Sequence, residues 1–187
     1  ENEEGGPYRE RRLQRLRSRL RPFVLRRTKE LVAPELPSRQ EQVLTIELGP
    51  AHRAVYDAVL QRERRKVLGL LDDLDRNRFI VFRSLTLLRR LALAPALVDA
   101  GDPGIRSAKL DALREQLGEL IAEGHRALVF SQFTSYLDLV RADFDAHGIR
   151  YAYLDGSTRR RSDVVARFRG GDVPVFLISL KAGGFGL

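Results

Sequence analysis

The chain has 187 residues, enough for one α/β domain with its own core or for a domain plus an appendage, and its 43% hydrophobic and 31% charged residues favour neither a disordered nor a fibrous chain. It has no cysteine, so disulfides and thiolate metal sites are excluded, and no apolar run approaches the ~18 residues of a membrane span. A soluble, intracellular protein is expected, and its net charge of +8 points to a polyanionic partner.

That charge is concentrated near the start. Between Tyr8 and Lys29 ten arginines and lysines face one glutamate, a local +9 that leaves −1 for everything else. Leu13, Leu16, Leu20 and Phe23/Val24 recur there at helical spacing, so the arginines coat an amphipathic helix that Pro22 should end. A solvated helix face and a nucleic-acid-facing helix are both open for it.

The segment "LVAPELPSRQEQVLTIELGP" carries Pro34, Pro37 and Pro50, with alternation at Leu44, Ile46 and Leu48, and reads as a linker contributing a short strand. Beyond it, Val55, Val59, Leu60, Val67, Leu70, Leu71 and Leu74 keep a helical period, and Phe79, Phe82, Leu85, Leu88 and Leu91 keep a second. Two helices, pairing as a hairpin, should fill the region up to Pro95. "DDLD" at 72–75 sits inside that period and reads as a solvated helix turn, not a metal site.

From Ser107 the element types alternate. Ser107 can cap a helix with the stripe Leu110, Leu113, Leu117, Leu120 and Ile121, stopped by Gly124. Strand "ALVF" (127–130) follows, then a helix with Leu137, Val140 and Phe144 running to Gly148. Next come strand "RYAYL" (150–154), a helix capped by Thr158 and carrying Val164, Val165 and Phe168, and strand "VFLIS" (175–179). This β-α-β-α-β order with short connections predicts a parallel sheet with right-handed crossovers.

Ligands of such a sheet bind outside the carboxyl ends of its strands. Three loops fall there: Ser131-Gln132, Asp155-Gly156-Ser157-Thr158, and Leu180 to Gly186. Glycines would let a phosphate approach the main chain, Lys181 would supply a point charge, and Ser179 a hydroxyl donor. Gly183, Gly184 and Gly186 are equally readable as a flexible turn, and Asp155 as a turn-former. No G-x-x-x-x-G-K-[ST] phosphate loop, acidic pair for Mg²⁺, nucleophile triad or ligand-like spacing of His52, His125 and His147 occurs, so no catalytic residue and no metal ligand is assigned.

In order, "PFVLRRTKELVAPELPSRQE", "LRRLALAPALV", "SAKLDALREQL", "RALVFSQFTSYLDLV", "YAYLDGSTRRRSDVVARF" and "VFLISLKAGGFGL" resemble consecutive blocks of the Swi/Snf-type ATPases of helicase superfamily two, from Pro22 to the end. "VFSQF" matches helicase motif IV, "LDGST" the block after it, and "SLKAGGFG" motif V. The resemblance implies a partial RecA-like parallel sheet flanked by helices, with an N-terminal basic helix and a helical protrusion. The implied divisions are a basic helix and inter-lobe brace at 1–29, a linker at 30–50, the protrusion at 51–98, and a second RecA-like lobe at 99–187, cut after motif V.

It also implies roles. Ser131, Gln132, Ser179 and Lys181 would hold a strand of duplex DNA by its phosphates, Gly183, Gly184 and Gly186 would face the nucleotide, and Arg26 and Arg27 would brace the lobes. ATP and Mg²⁺ would bind through a first lobe expected before Glu1, and arginine fingers would follow Leu187. Without those fingers, worth about 10³ to 10⁵ in rate, the fragment alone is expected to be inactive. The block usually written "LRQICNHP" is here "LRRLALAP", lacking its Gln, Asn and His, and Phe185 replaces a smaller residue.

The expected whole is an ATP-dependent double-stranded DNA translocase, partnered by its own first lobe. It would be nuclear in a eukaryote, and cytoplasmic or nucleoid-associated in a bacterium. The alternatives are a stand-alone nucleic-acid-binding or interaction module without ATPase role, and a lobe of an RNA helicase. Cutting the sheet after motif V is expected to leave "VFLIS" exposed to pairing with another chain.

Overall fold

The computed structural model describes residues 7–25, 40–69, 74–98 and 104–183. The chain divides into two units, Glu1–Leu44 and Thr45–Leu187. In the first, helix α1 (Pro7–Leu20) follows the basic amphipathic period. It closes just before Pro22, whose missing N–H and fixed ring cannot continue a helix. Leu13, Leu16 and Leu20 are exposed along it. Arg26 and Arg27 lie outside the described residues.

Leu44, Ile46 and Leu48 form no strand, since residues 40–49 carry no regular secondary structure. Alternation makes a strand only where a neighbouring strand takes the backbone hydrogen bonds, and the strands of the sheet pair only among themselves.

In the second unit, helices α2 (Pro50–Leu68) and α3 (Leu74–Leu91) pack together as the expected hairpin. The packed face of α3 differs from the expected one. Phe79, Phe82 and Leu85 are 73%, 69% and 52% exposed and Ser84 is buried, while Leu91, at the end of the expected stripe, is buried as expected. The reason lies on α2, where the buried positions are His52 and Glu63. Ser84 Oγ donates to Glu63 Oε2 at 2.6 Å, and His52 Nε2 lies 2.6 Å from the Leu91 carbonyl oxygen. Buried polar groups must find partners, so these pairs select the helix face that turns inward.

A 3₁₀ turn (Pro95–Leu97) leads to α4 (Ala108–Ala122). Ser107 caps α4 as expected, its Oγ accepting from Leu110 N at 3.2 Å and donating to the Leu93 carbonyl at 2.6 Å. Then follow β1 (Ala127–Ser131), α5 (Thr134–Ala146), β2 (Tyr151–Leu154), α6 (Arg161–Arg169), β3 (Val175–Ser179) and the single turn α7 (Leu180–Gly183).

All three strands are parallel, in the order β1-β3-β2. "VFLIS" is therefore the central strand, buried at all five positions, and the expectation that it lies exposed is corrected. The later strand enters between the two earlier ones, so β1 and β2 are the edges.

Because side chains alternate across a strand, β3 feeds two cores. Val175 and Leu177 join Leu117, Leu137, Val140 and Phe144 on one face; Phe176 and Ile178 join Ala152, Leu154 and Val173 on the other, under Val164, Val165 and Phe168 of α6. The helices thus cover both faces of the central strand, leaving its carboxyl end as the place where polar groups collect. Gly124 and Gly148, which end α4 and α5, have φ of 80° and 68°, a backbone region open to glycine at little cost.

Candidate nucleic-acid interface

Register sets the site. Ser131 of β1 pairs with Ser179 of β3, and Leu154 of β2 with Ile178, so the strands end nearly flush and their loops leave from one edge. With adjacent strands about 4.8 Å apart, the edge spans roughly 10 Å from β1 to β2.

The four expected phosphate contacts differ in what they offer there. Lys181 is exposed and forms no ion pair with a described residue. Gln132 is exposed, and its Oε1 accepts from Arg89 Nη2 at 3.0 Å. That contact turns the Gln132 amide so that its two N–H donors remain for a ligand, and it brings a guanidinium from the end of α3 to the same edge. Ser131 is half-buried; its hydroxyl accepts from Phe133 N at 3.1 Å and donates to the Phe133 carbonyl at 3.2 Å, closing the turn into α5. Ser179 is 3% exposed at the end of the central strand. The structure therefore displays Gln132 and Lys181 at the edge, while Ser131 and Ser179 build it. Gly183 closes α7, and Gly184 and Gly186 lie outside the described residues.

The loop after β2 is closed by its own side chains. Asp155 Oδ1 accepts from Ser157 N at 2.9 Å, Ser157 Oγ at 2.7 Å and Thr158 Oγ1 at 3.2 Å, and Oδ2 accepts from Tyr153 OH at 3.0 Å. The Ser157 hydroxyl is the main cause that holds the Asp155 carboxyl below its ordinary pKa, against the opposing effect of burial. Burial first, then the bond to Asp155, pushes Tyr153 up to about 12. Asp155 is thus the turn-former its Asp-Gly-Ser context suggests. Thr158 is not a helix cap: its Oγ1 also accepts from Asp155 N at 3.0 Å, and Arg160 stands at the N-cap of α6.

Two further features carry no signal in the sequence. Arg89 and Gln132 are 43 residues apart, and nothing in either segment announces the other. Arg114 Nη1 donates to Asp143 Oδ1 at 2.6 Å and its Nη2 to Asp111 Oδ1 at 2.9 Å, fastening α4 to α5 away from the strand ends.

No group of three or more His, Asp or Glu among the described residues could hold a metal ion. No helix among them is long and apolar enough to cross a membrane.

Comparison with known proteins gives two family-model matches: the SNF2-related domain over residues 6–97 and the helicase conserved C-terminal domain over residues 108–187. A mouse chromodomain-helicase-DNA-binding protein 1-like is 33% identical over 179 residues, covering 90% of this chain and 19% of its own length. An uncharacterized ATP-dependent helicase of Mycoplasma pneumoniae is 32% identical over 177 residues, covering 92% of this chain and 16% of its own. Among solved structures, the Sulfolobus solfataricus SWI2/SNF2 ATPase core domain superposes with a TM-score of 0.65 at 26% identity, over 94% of this chain and 38% of that one. The chain thus spans less than a fifth of the length of these curated relatives.

Proposed function

This chain belongs to the Swi/Snf-type ATPases of helicase superfamily two and carries their C-terminal RecA-like lobe, and from that premise we propose that it is the second motor lobe of an ATP-dependent double-stranded DNA translocase. Its part is to grip one strand of the duplex by its phosphates. The observation that carries this reading is the flush carboxyl edge of a parallel sheet that displays the Lys181 cation and an oriented Gln132 amide.

Phosphate contacts position a protein on DNA without reading its sequence, so binding should depend little on base order and strongly on salt. Lys181 gives the point charge, Gln132 donates through its amide, and Ser131 and Ser179 hold the loop and strand that present them. The glycines Gly183, Gly184 and Gly186 would form this lobe's side of a nucleotide cleft whose phosphate-binding half belongs to the first lobe. Arg26 and Arg27 would brace the two lobes, and the chain alone would not hydrolyse ATP. Such a protein works wherever duplex DNA is: the nucleus in a eukaryote, the nucleoid in a bacterium.

Lys181→Ala in the full-length protein tests the grip. The slope of log K against log salt for a duplex of mixed sequence should become shallower by about 0.9, the share of one neutralised phosphate. A wild-type slope in that variant would remove Lys181 from the grip.

A further inference from the structure

Arg159, Arg160 and Arg161 follow the closed Asp155 loop directly, and all three are exposed. None forms an ion pair with a described residue. The acids nearest in sequence, Asp155 and Asp163, form no ion pair with them. Both oxygens of Asp155 are taken up by Tyr153, Ser157 and Thr158. Asp163 accepts from Ser162 Oγ at 3.3 Å. Among the described residues, three adjacent guanidiniums therefore stand without a counter-ion at the β2 end of the edge, where an anion would relieve their mutual repulsion.

We propose that Arg159, Arg160 and Arg161 form a third phosphate-binding element, extending the grip from Gln132 and Lys181 across the whole edge to the start of α6. The inference rests on the duplex-grip reading above and enlarges it. Each strand of a duplex carries one phosphate per ~3.4 Å of its axis, so the gripped strand lays about three phosphates along an edge of roughly 10 Å. Lys181 by itself neutralises one of them. The triad supplies charge for the other two and for a further one beyond the edge, opposite the end where Arg89 joins Gln132. Guanidinium forks suit this role because they bind phosphate oxygens in pairs. The rigid Asp155 turn fixes where the three residues start and leaves their side chains to follow the strand.

The test combines Arg159→Gln, Arg160→Gln and Arg161→Gln in the full-length protein and measures binding to a mixed-sequence duplex at several salt concentrations. The expected result is a slope of log K against log salt shallower by about 2 to 3, with unchanged preference among sequences. A triple change to lysine should keep the wild-type slope, since it keeps the charges. Circular dichroism melts would show that both variants fold. A wild-type slope in the glutamine variant, while Lys181→Ala flattens it, overturns the triad and leaves the grip standing. Wild-type slopes in both overturn the grip itself.

Discussion

Phe144→Ala should lower the stability of the lobe by about 3 to 5 kcal/mol, the usual loss when a buried phenylalanine is cut back and its cavity only partly collapses. Phe144 is fully buried on α5 and belongs to the cluster that joins Leu137 and Val140 to Val175 and Leu177 of the central strand. Its ring also meets Tyr151 of β2 edge-on, with centroids 5.9 Å apart, a contact worth about 0.5–1.5 kcal/mol beyond area. The residue therefore ties α5 to two strands at once, and those strands carry the interface loops. Thermal or urea unfolding measures the loss; a change below about 1 kcal/mol would mean that α5 does not dock on β3 as described.

Ser84→Ala should cost about 1 to 3 kcal/mol at neutral pH, because it leaves a buried carboxylate without its shortest hydrogen bond. Glu63 is 5% exposed and Ser84 2%. The Ser84 hydroxyl is the main cause holding the Glu63 pKa below its ordinary 4.5, ahead of burial, which raises it; Arg62 and Lys66 lower it further. A carboxyl whose folded pKa is depressed stabilises the fold above its unfolded value, and that contribution is lost as pH falls through the folded value. The gap between wild type and Ser84→Ala should thus be full at pH 7 and shrink as the pH drops below about 4.5. Melts at both ends of that range test it, and a gap constant with pH would contradict the charged Glu63–Ser84 pair.

Much of the fold was readable because the second unit follows local rules. The three strands, the Ser107 cap and the glycine stops all express propensity or period, which single segments carry. Strand order does not live in a single segment. The unbroken burial of "VFLIS", against alternation in "YAYL", marks a central strand, and that contrast is the signal that could have placed β3 between its neighbours. The face of α3 was misread for another reason. Apolar periodicity counts Phe79, Phe82 and Leu85 as core along with Leu91, but only Leu91 is buried, and a serine paired with a buried glutamate on α2 turns inward in place of the first three.

The site was legible as an edge and less so as a set of contacts. Topology places Ser131, Gln132, Ser179 and Lys181 together, as their positions after parallel strands imply. Which of them reach the surface depends on hydrogen bonds across the fold. Ser131 turns back onto Phe133, and Gln132 is held by an arginine from α3. That Arg159 to Arg161 pair with no described acid likewise depends on contacts made in the fold, such as those that take up Asp155.

The central claim is that this lobe grips duplex DNA for an ATP-driven motor. The most direct measurement is the ATPase rate of the full-length protein with mixed-sequence duplex DNA, with RNA of equal length, and with neither. Stimulation by the duplex and not by RNA is the predicted result, and stimulation by RNA without any by duplex DNA would contradict it.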